Sequence, residues 1–290
     1  MSTPAGAAVA AAVACAGRLG LTCADPRLLS DGVNAVVHLA PAPVVARVAT
    51  ATRLLRPDVS RTFGREVALA TALTAAGAAV VPPSDLLPPG PHVQDGLVLS
   101  FWRFAELTGE QPTAQVAGRA LGELHEVLAS LPAPAGAFLD TPLEDVAVFA
   151  ATGADLGARP DHVERVGALL EAVRPRLAGP SGALHGDAHP GNLLGTTTGW
   201  RWTDLEDTSP GPVGWDLACL RSTGRLDGRA AVDATPHPLS DADLEPLLLL
   251  RLLHGAAWSQ VVASRDPGYR RQADERLAAA VAEVGRRLRA

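Results

Sequence analysis

Two oxygen-bearing side chains on one short loop, Asp187 and Asn192, stand out among the residues of this 290-residue chain that could do chemistry. They lie five positions apart in Leu184-His185-Gly186-Asp187-Ala188-His189-Pro190-Gly191-Asn192-Leu193-Leu194. Twelve residues further on comes Asp204, in Thr203-Asp204-Leu205-Glu206-Asp207, and another twelve bring Asp216, in Gly211-Pro212-Val213-Gly214-Trp215-Asp216-Leu217-Ala218. A carboxylate can orient and deprotonate an acceptor hydroxyl. An amide oxygen and a second carboxylate can hold Mg²⁺ against nucleotide phosphates. Asp187, Asn192 and Asp204 supply those three groups in the order that phosphoryl transfer requires. An aspartate in a turn is ordinarily a cap or turn former, so the combination carries the reading and no single residue does.

The basic residues sharpen it. All 25 are Arg and none is Lys, so any cation that holds phosphate must be a guanidinium, which can do so through its planar fork. A net charge of −6 argues against a nucleic-acid partner and favours cationic ligands. Asp204, Glu206 and Asp207 form an acidic cluster beside the loop, which points to an amine-bearing acceptor. Cys15, Cys23 and Cys219 form no CxxC and no even-numbered framework, as expected of reduced thiols in a cytoplasmic protein. The run Ala5–Ala16 lacks a positive segment before it and reads as a helix rather than a leader. Leu244–Leu253 is apolar but interrupted by Arg251, well short of the ~18 residues of a membrane span. No membrane partner is expected.

The elements that must position these groups fall into two regions. Residues 28–49 read as two strands with Asp31-Gly32 and Pro41-Ala42-Pro43 as turns. The spacing of Phe63, Val67, Ala70 and Leu73 predicts a helix over 63–76, and Leu97–Trp102 is a further strand. Beyond Phe104 the periodicity turns helical, at 113–131, 160–177, 241–263 and 269–288, interrupted by strand-like pieces at 183–185 and 200–203. A nucleotide-binding lobe over 1–104 and a catalytic and substrate-binding lobe over 105–290 are expected, joined near residues 103–110.

Here the sequence resembles the aminoglycoside phosphotransferase and choline kinase family, whose fold is related to protein kinases. That family's loop reads H-G-D-x-x-x-x-N, which His185 to Asn192 matches throughout, and its metal-binding segment is similar to Thr203-Asp204-Leu205-Glu206. The resemblance implies an α+β, bilobal protein kinase-like fold, with a small β-rich N-lobe and a larger, mainly helical C-lobe. It makes Asp187 the catalytic base and Asn192 and Asp204 the metal ligands. Asp216 and His185 become structural support for the loop. Further upstream, Ser30 and Gly32 would lie in the hairpin over the nucleotide, with fewer glycines than protein kinases have. Arg47, in Val45-Ala46-Arg47-Val48, stands where the family has a phosphate-pairing Lys, and Glu66 is its expected ion-pair partner. Backbone groups around Trp102 and Phe104 would read the base.

These implications describe an O-phosphotransferase using ATP, with GTP an open alternative, and Mg²⁺. Its acceptor is a small-molecule hydroxyl, on an aminoglycoside-like or other cationic antibiotic, or on a sugar or amino alcohol of metabolism. Glu206, Asp207 and His189 are the candidate acceptor contacts, and a monomer or weak dimer is expected. A catalytically inactive binding module is the rival class, favoured by the missing Lys.

Overall fold

The computed structural model describes residues 4–289, and the chain divides into two compact units. One comprises Met1–Gln111 together with Leu193–Glu206; the other comprises Pro112–Asn192 and Asp207–Ala290. The division thus falls a few residues beyond the expected 104/105. It also returns an internal segment to the first unit, which a linear reading does not show.

The first unit opens with α1 (Pro4–Arg18), β1 (Asp25–Asp31), β2 (Asn34–Ala40) and β3 (Val44–Ala49). It continues with α2 (Val59–Ala75), β4 (His92–Gln94) and β5 (Leu97–Arg103). Residues 28–49 therefore make three strands, not two, because Gly32 turns the chain and its N–H bonds the Asn34 carbonyl at 3.1 Å. The sheet is antiparallel, ordered β1-β2-β3-β5-β4, with Val36 opposite Arg47 and Arg47 opposite Ser100. Its valine-rich central strand is buried throughout, and Val37, Leu39, Val48, Leu99 and Phe101 close over Ala8, Ala12, Cys15 and Ala16 of α1. Helix α2 begins at Val59, before the expected Phe63, because the Asp58 side chain caps it by accepting from the Arg61 N–H at 3.0 Å.

The second unit begins with α3 (Ala114–Leu128), α4 (Asp140–Thr152), α5 (Pro160–Val173) and the short strand β6 (Gly182–Ala183). The hairpin β7 (Leu193–Thr196) and β8 (Gly199–Trp202) belongs to the first unit. There the Trp202 N–H bonds Ala79 O at 2.9 Å and the Val81 N–H bonds Trp202 O at 2.8 Å. The chain finishes in the second unit with β9 (Pro210–Gly211), α6 (Gly214–Arg221), α7 (Gly228–Asp233), α8 (Asp241–Arg265) and α9 (Arg270–Arg287). Strand β9 pairs with β6, and α8 packs against α4, α5, α6 and α9.

At 25 residues, α8 is longer than its apolar run suggested, and among the described helices it alone has the length and composition to cross a membrane. Packing buries 67% of that apolar window, as befits a core helix.

Candidate active site

The loop from His185 to Asn192 is fixed by the start of α6. Asp216, fully buried in the first turn of that helix, accepts three hydrogen bonds. His185 N–H and His125 Nε2 reach its Oδ2, each at 3.0 Å, and Gly186 N–H reaches Oδ1 at 2.8 Å. The Trp215 indole N–H donates to the Gly186 carbonyl at 2.7 Å. Gly186 has φ +93°, and a Cβ built there would lie 2.1 Å from the Asp207 carbonyl oxygen, so only glycine fits. Burial raises the Asp216 pKa. The bond and charge of His125, the charge of His185 and the Gly186 N–H outweigh that, and the carboxyl ends below its ordinary value.

Held in this way, Asp187 places its carboxylate among three donors of the same unit. Arg251 Nη2 reaches Oδ1 at 2.6 Å, while His189 Nε2 and Asn192 Nδ2 reach Oδ2 at 3.2 and 3.3 Å. Gly191 N–H donates to His189 Nδ1 at 2.9 Å, which leaves the ring proton on Nε2 for Asp187. Burial raises the Asp187 pKa, but the Arg251 guanidinium and then His189 outweigh it and hold the carboxyl well below the usual range. Asn192 spends its amide N–H groups on Asp187, also bonding its carbonyl at 3.0 Å, and among the described residues its Oδ1 accepts no hydrogen bond.

The first unit carries a second cluster. Arg47 ion-pairs with Glu66 of α2, the pair expected from the sequence. Its Nη2 also lies 2.5 Å from both Asp204 Oδ1 and Glu206 Oε2, and its guanidinium carbon sits 5.2 Å from the centre of the Phe63 ring. Glu206 accepts from Asn34 Nδ2 at 3.1 Å and pairs with Arg56 at 3.5 Å. Burial, reinforced by Asp204 and Glu206 and opposed by Arg47, pushes the Glu66 carboxyl up to about 8. Three acids thus face two guanidiniums. Asp204 has φ +63°, a left-handed backbone that Asp tolerates, and its side chain is 40% exposed.

Some expectations change. Glu206 is 6% exposed and held by Arg47, Arg56 and Asn34, so it supports Arg47 and is not offered to an acceptor. Asp207 is 7% exposed, its backbone against Gly186. Of the three acidic groups, Glu206 and Asp207 are thus buried, while the Asp204 side chain remains 40% exposed. Trp102 is buried with its indole N–H on Ser100 Oγ at 2.9 Å, and Phe104 stacks on His38 with centroids 4.0 Å apart. The N–H groups of Arg103 and Phe104 bond Pro82 O and Pro43 O, each at 3.0 Å. Gly32 occupies an exposed turn where a Cβ would meet nothing closer than 3.7 Å, and Ser30 lies exposed at a bulge in β1. Arg251, which meets Asp187, was not expected from the sequence; its one signal was a charge interrupting an apolar run.

Among the solved structures that share this fold over nearly the whole chain are kinases of small molecules. Choline kinase LicA from Streptococcus pneumoniae matches with a TM-score of 0.63 at 13% identity, covering 93% of this chain and 98% of that one. A microcompartment-associated aminopropanol kinase matches at 0.60 and 19%, covering 91% and 92%. A thermostable mutant of aminoglycoside phosphotransferase APH(4)-Ia matches at 0.61 and 15%, covering 93% and 97%. These likenesses define a protein kinase-like α+β fold. The sequence itself is more specific: the chain belongs to the phosphotransferase enzyme family, whose model matches residues 34–245. No curated protein sequence matches it.

Proposed function

We propose that this phosphotransferase moves the γ-phosphoryl group of ATP to a hydroxyl of a small molecule, with Mg²⁺ and in the cytoplasm. The observation that carries the reading is Asp187, an ionised carboxylate on a loop fixed through Asp216. In the transfer the acceptor oxygen bonds the γ-phosphorus, the bond from that phosphorus to the ADP oxygen breaks, and the hydroxyl proton passes to Asp187. A carboxylate this acidic is a weak base, which suits a transition state that demands positioning more than proton abstraction. Arg47 takes the phosphate-pairing role, kept in place by Glu66.

The donor set suits Mg²⁺. The two ligands that the resemblance implies are each hard oxygen donors: among the described residues neither the Asn192 amide oxygen nor the second Asp204 carboxylate oxygen accepts a hydrogen bond, and one or two protein groups are what Mg²⁺ takes when it shares nucleotide phosphates. When bound, the ion neutralises charge on the phosphates. Amicoumacin kinase, similar in fold at a TM-score of 0.59 and 13% identity, has been solved with AMP-PNP and Ca²⁺, which supports nucleotide use with a divalent cation. The free state of Cys15, Cys23 and Cys219 suits a reducing compartment.

Asp187→Asn tests the reading. Turnover on any accepted hydroxyl should fall by several orders of magnitude while nucleotide affinity, read by calorimetry, stays near that of the parent. Turnover kept within tenfold would remove Asp187 from the chemistry.

A further inference from the structure

Arg251 projects from the middle of α8 with its side chain 16% exposed, beside Asp187 at 24%. It is held in position from behind. Its Nη1 lies 3.3 Å from His254 Nδ1, and a guanidinium can only donate, so the His254 proton must sit on Nε2. That Nε2 lies 2.9 Å from Oδ2 of Asp145, an aspartate 1% exposed that also accepts from Trp258 Nε1 at 3.0 Å. Asp145, His254 and Arg251 therefore form a chain of hydrogen bonds ending on Asp187. It engages two of the five guanidinium N–H groups of Arg251.

The lone pairs of Asp187 decide where an acceptor can sit. Oδ2 already accepts from His189 and Asn192, whereas Oδ1 accepts from Arg251 alone. With about two lone pairs per carboxylate oxygen, only Oδ1 has room for an acceptor hydroxyl. Such a hydroxyl sits about 2.7 Å from Oδ1, on the atom that Arg251 Nη2 reaches at 2.6 Å, so it lies within roughly 5 Å of the guanidinium. A group two or three bonds from that hydroxyl falls within reach of the remaining N–H donors. Of the carboxylates described in this unit, none stands open to answer an ammonium there. Asp187 is matched by Arg251, Asp145 is buried under His254 and Trp258, and Asp207 is 7% exposed.

We infer that Arg251 is a specificity-determining residue of the acceptor subsite, selecting a hydroxyl compound whose neighbouring group is an oxyanion, a carboxylate or a phosphate. This rests on the phosphotransferase reading above.

Four acceptors on one skeleton test it: glycerate, glycerol 3-phosphate, glycerol and 3-aminopropane-1,2-diol, each with Mg·ATP, product followed by ³¹P NMR. Either oxyanion compound should exceed the amine by at least roughly tenfold in kcat/KM, the factor of one hydrogen bond to a charged group. Which of the two leads distinguishes carboxylate from phosphate. Arg251→Gln should erase the preference mainly through KM, and Arg251→Lys should restore part of it. If none of the four turns over, the same order must appear as stabilisation against heat in the presence of Mg·AMP-PNP, again lost in Arg251→Gln. Thermal melts without ligand establish that the variants fold. An amine equal to or better than the oxyanions, no order in either assay, or a preference that survives Arg251→Gln overturns the subsite and leaves the kinase reading standing. Absence of both turnover and Mg·AMP-PNP binding in the parent protein overturns the kinase reading instead.

Discussion

Asp216→Asn probes the brace beneath the Asp187 loop by exchanging a carboxylate oxygen for an amide NH₂. The parent carboxylate takes His185 N–H and His125 Nε2 on one oxygen and Gly186 N–H on the other. Asparagine keeps one acceptor oxygen, so whichever way the amide turns, its NH₂ faces at least one N–H donor. The cheaper orientation leaves the oxygen to His185 and His125 and orphans Gly186 N–H inside a fully buried site. A lost hydrogen bond to a charged group contributes ~1.5–3 kcal/mol, and an unsatisfied buried donor costs ~1–3 kcal/mol. The expected loss is therefore about 3–5 kcal/mol. In urea unfolding at pH 7 the midpoint should fall by about 1 M or more for an m-value near 3 kcal/mol/M. Because the Asp216 pKa is lowered in the folded protein, its stabilisation is complete above the unfolded carboxyl pKa of about 3.9 and is lost as pH falls through the folded value. The gap between parent and variant should hold from about pH 5 to 7 and narrow below about pH 4. A loss below about 1 kcal/mol at pH 7, or a gap indifferent to acid, would refute the brace.

Gly186→Ala must place a methyl 2.1 Å from the Asp207 carbonyl oxygen at φ +93°, and should cost more than about 4 kcal/mol; a melting temperature within a few degrees of the parent contradicts this. Arg47→Ala leaves Glu66, Asp204 and Glu206 without their shared partner. It should weaken Mg·ATP binding, whereas Arg47→Lys should keep much of the activity, and parent-like behaviour of both would strip Arg47 of its phosphate role. Glu66 is raised to about 8, so its contribution to stability is full below the unfolded carboxyl range and is lost as pH rises through about 8. In metal-free buffer the stability of Glu66→Gln should therefore vary less than the parent's between about pH 5 and 8, and equal slopes would show Glu66 ionised throughout.

The parts of this protein legible in its sequence are those fixed by local chemistry. The Asp187 loop was readable from residue types at fixed spacing, and the resemblance pairs Arg47 with Glu66, whose side chains meet in the structure. The start of α3 at Ala114 was nearly correct because the Thr113 side chain caps it, accepting from the Val116 N–H at 3.2 Å. Arg251 was hidden for a physical reason: α8 is buried on most of its circumference, so its sequence shows no apolar stripe to indicate where a charge points. Helix α4 was not among the expected elements; its Pro142 lies in the first turn, where proline is tolerated because its missing N–H has no partner to lose. The burial of Glu206 depends on Asn34 and Arg56, which lie more than a hundred residues away in sequence. No local pattern encodes that.

The membership of the hairpin β7–β8 in the first unit bears on how the chain is made. Val81 and Ala79 bond Trp202 across a gap of about 120 residues, so the segment around them has no partner when it leaves the ribosome. At ~5–20 residues per second that interval lasts roughly 6–24 s, long enough for an unpaired edge to find a wrong partner. The second unit is likewise interrupted, by residues 193–206, and its His185–Asn192 loop is synthesised before the α6 residues that fix it. A fragment ending at Gln111 would be born with the same open edge and no means of closing it.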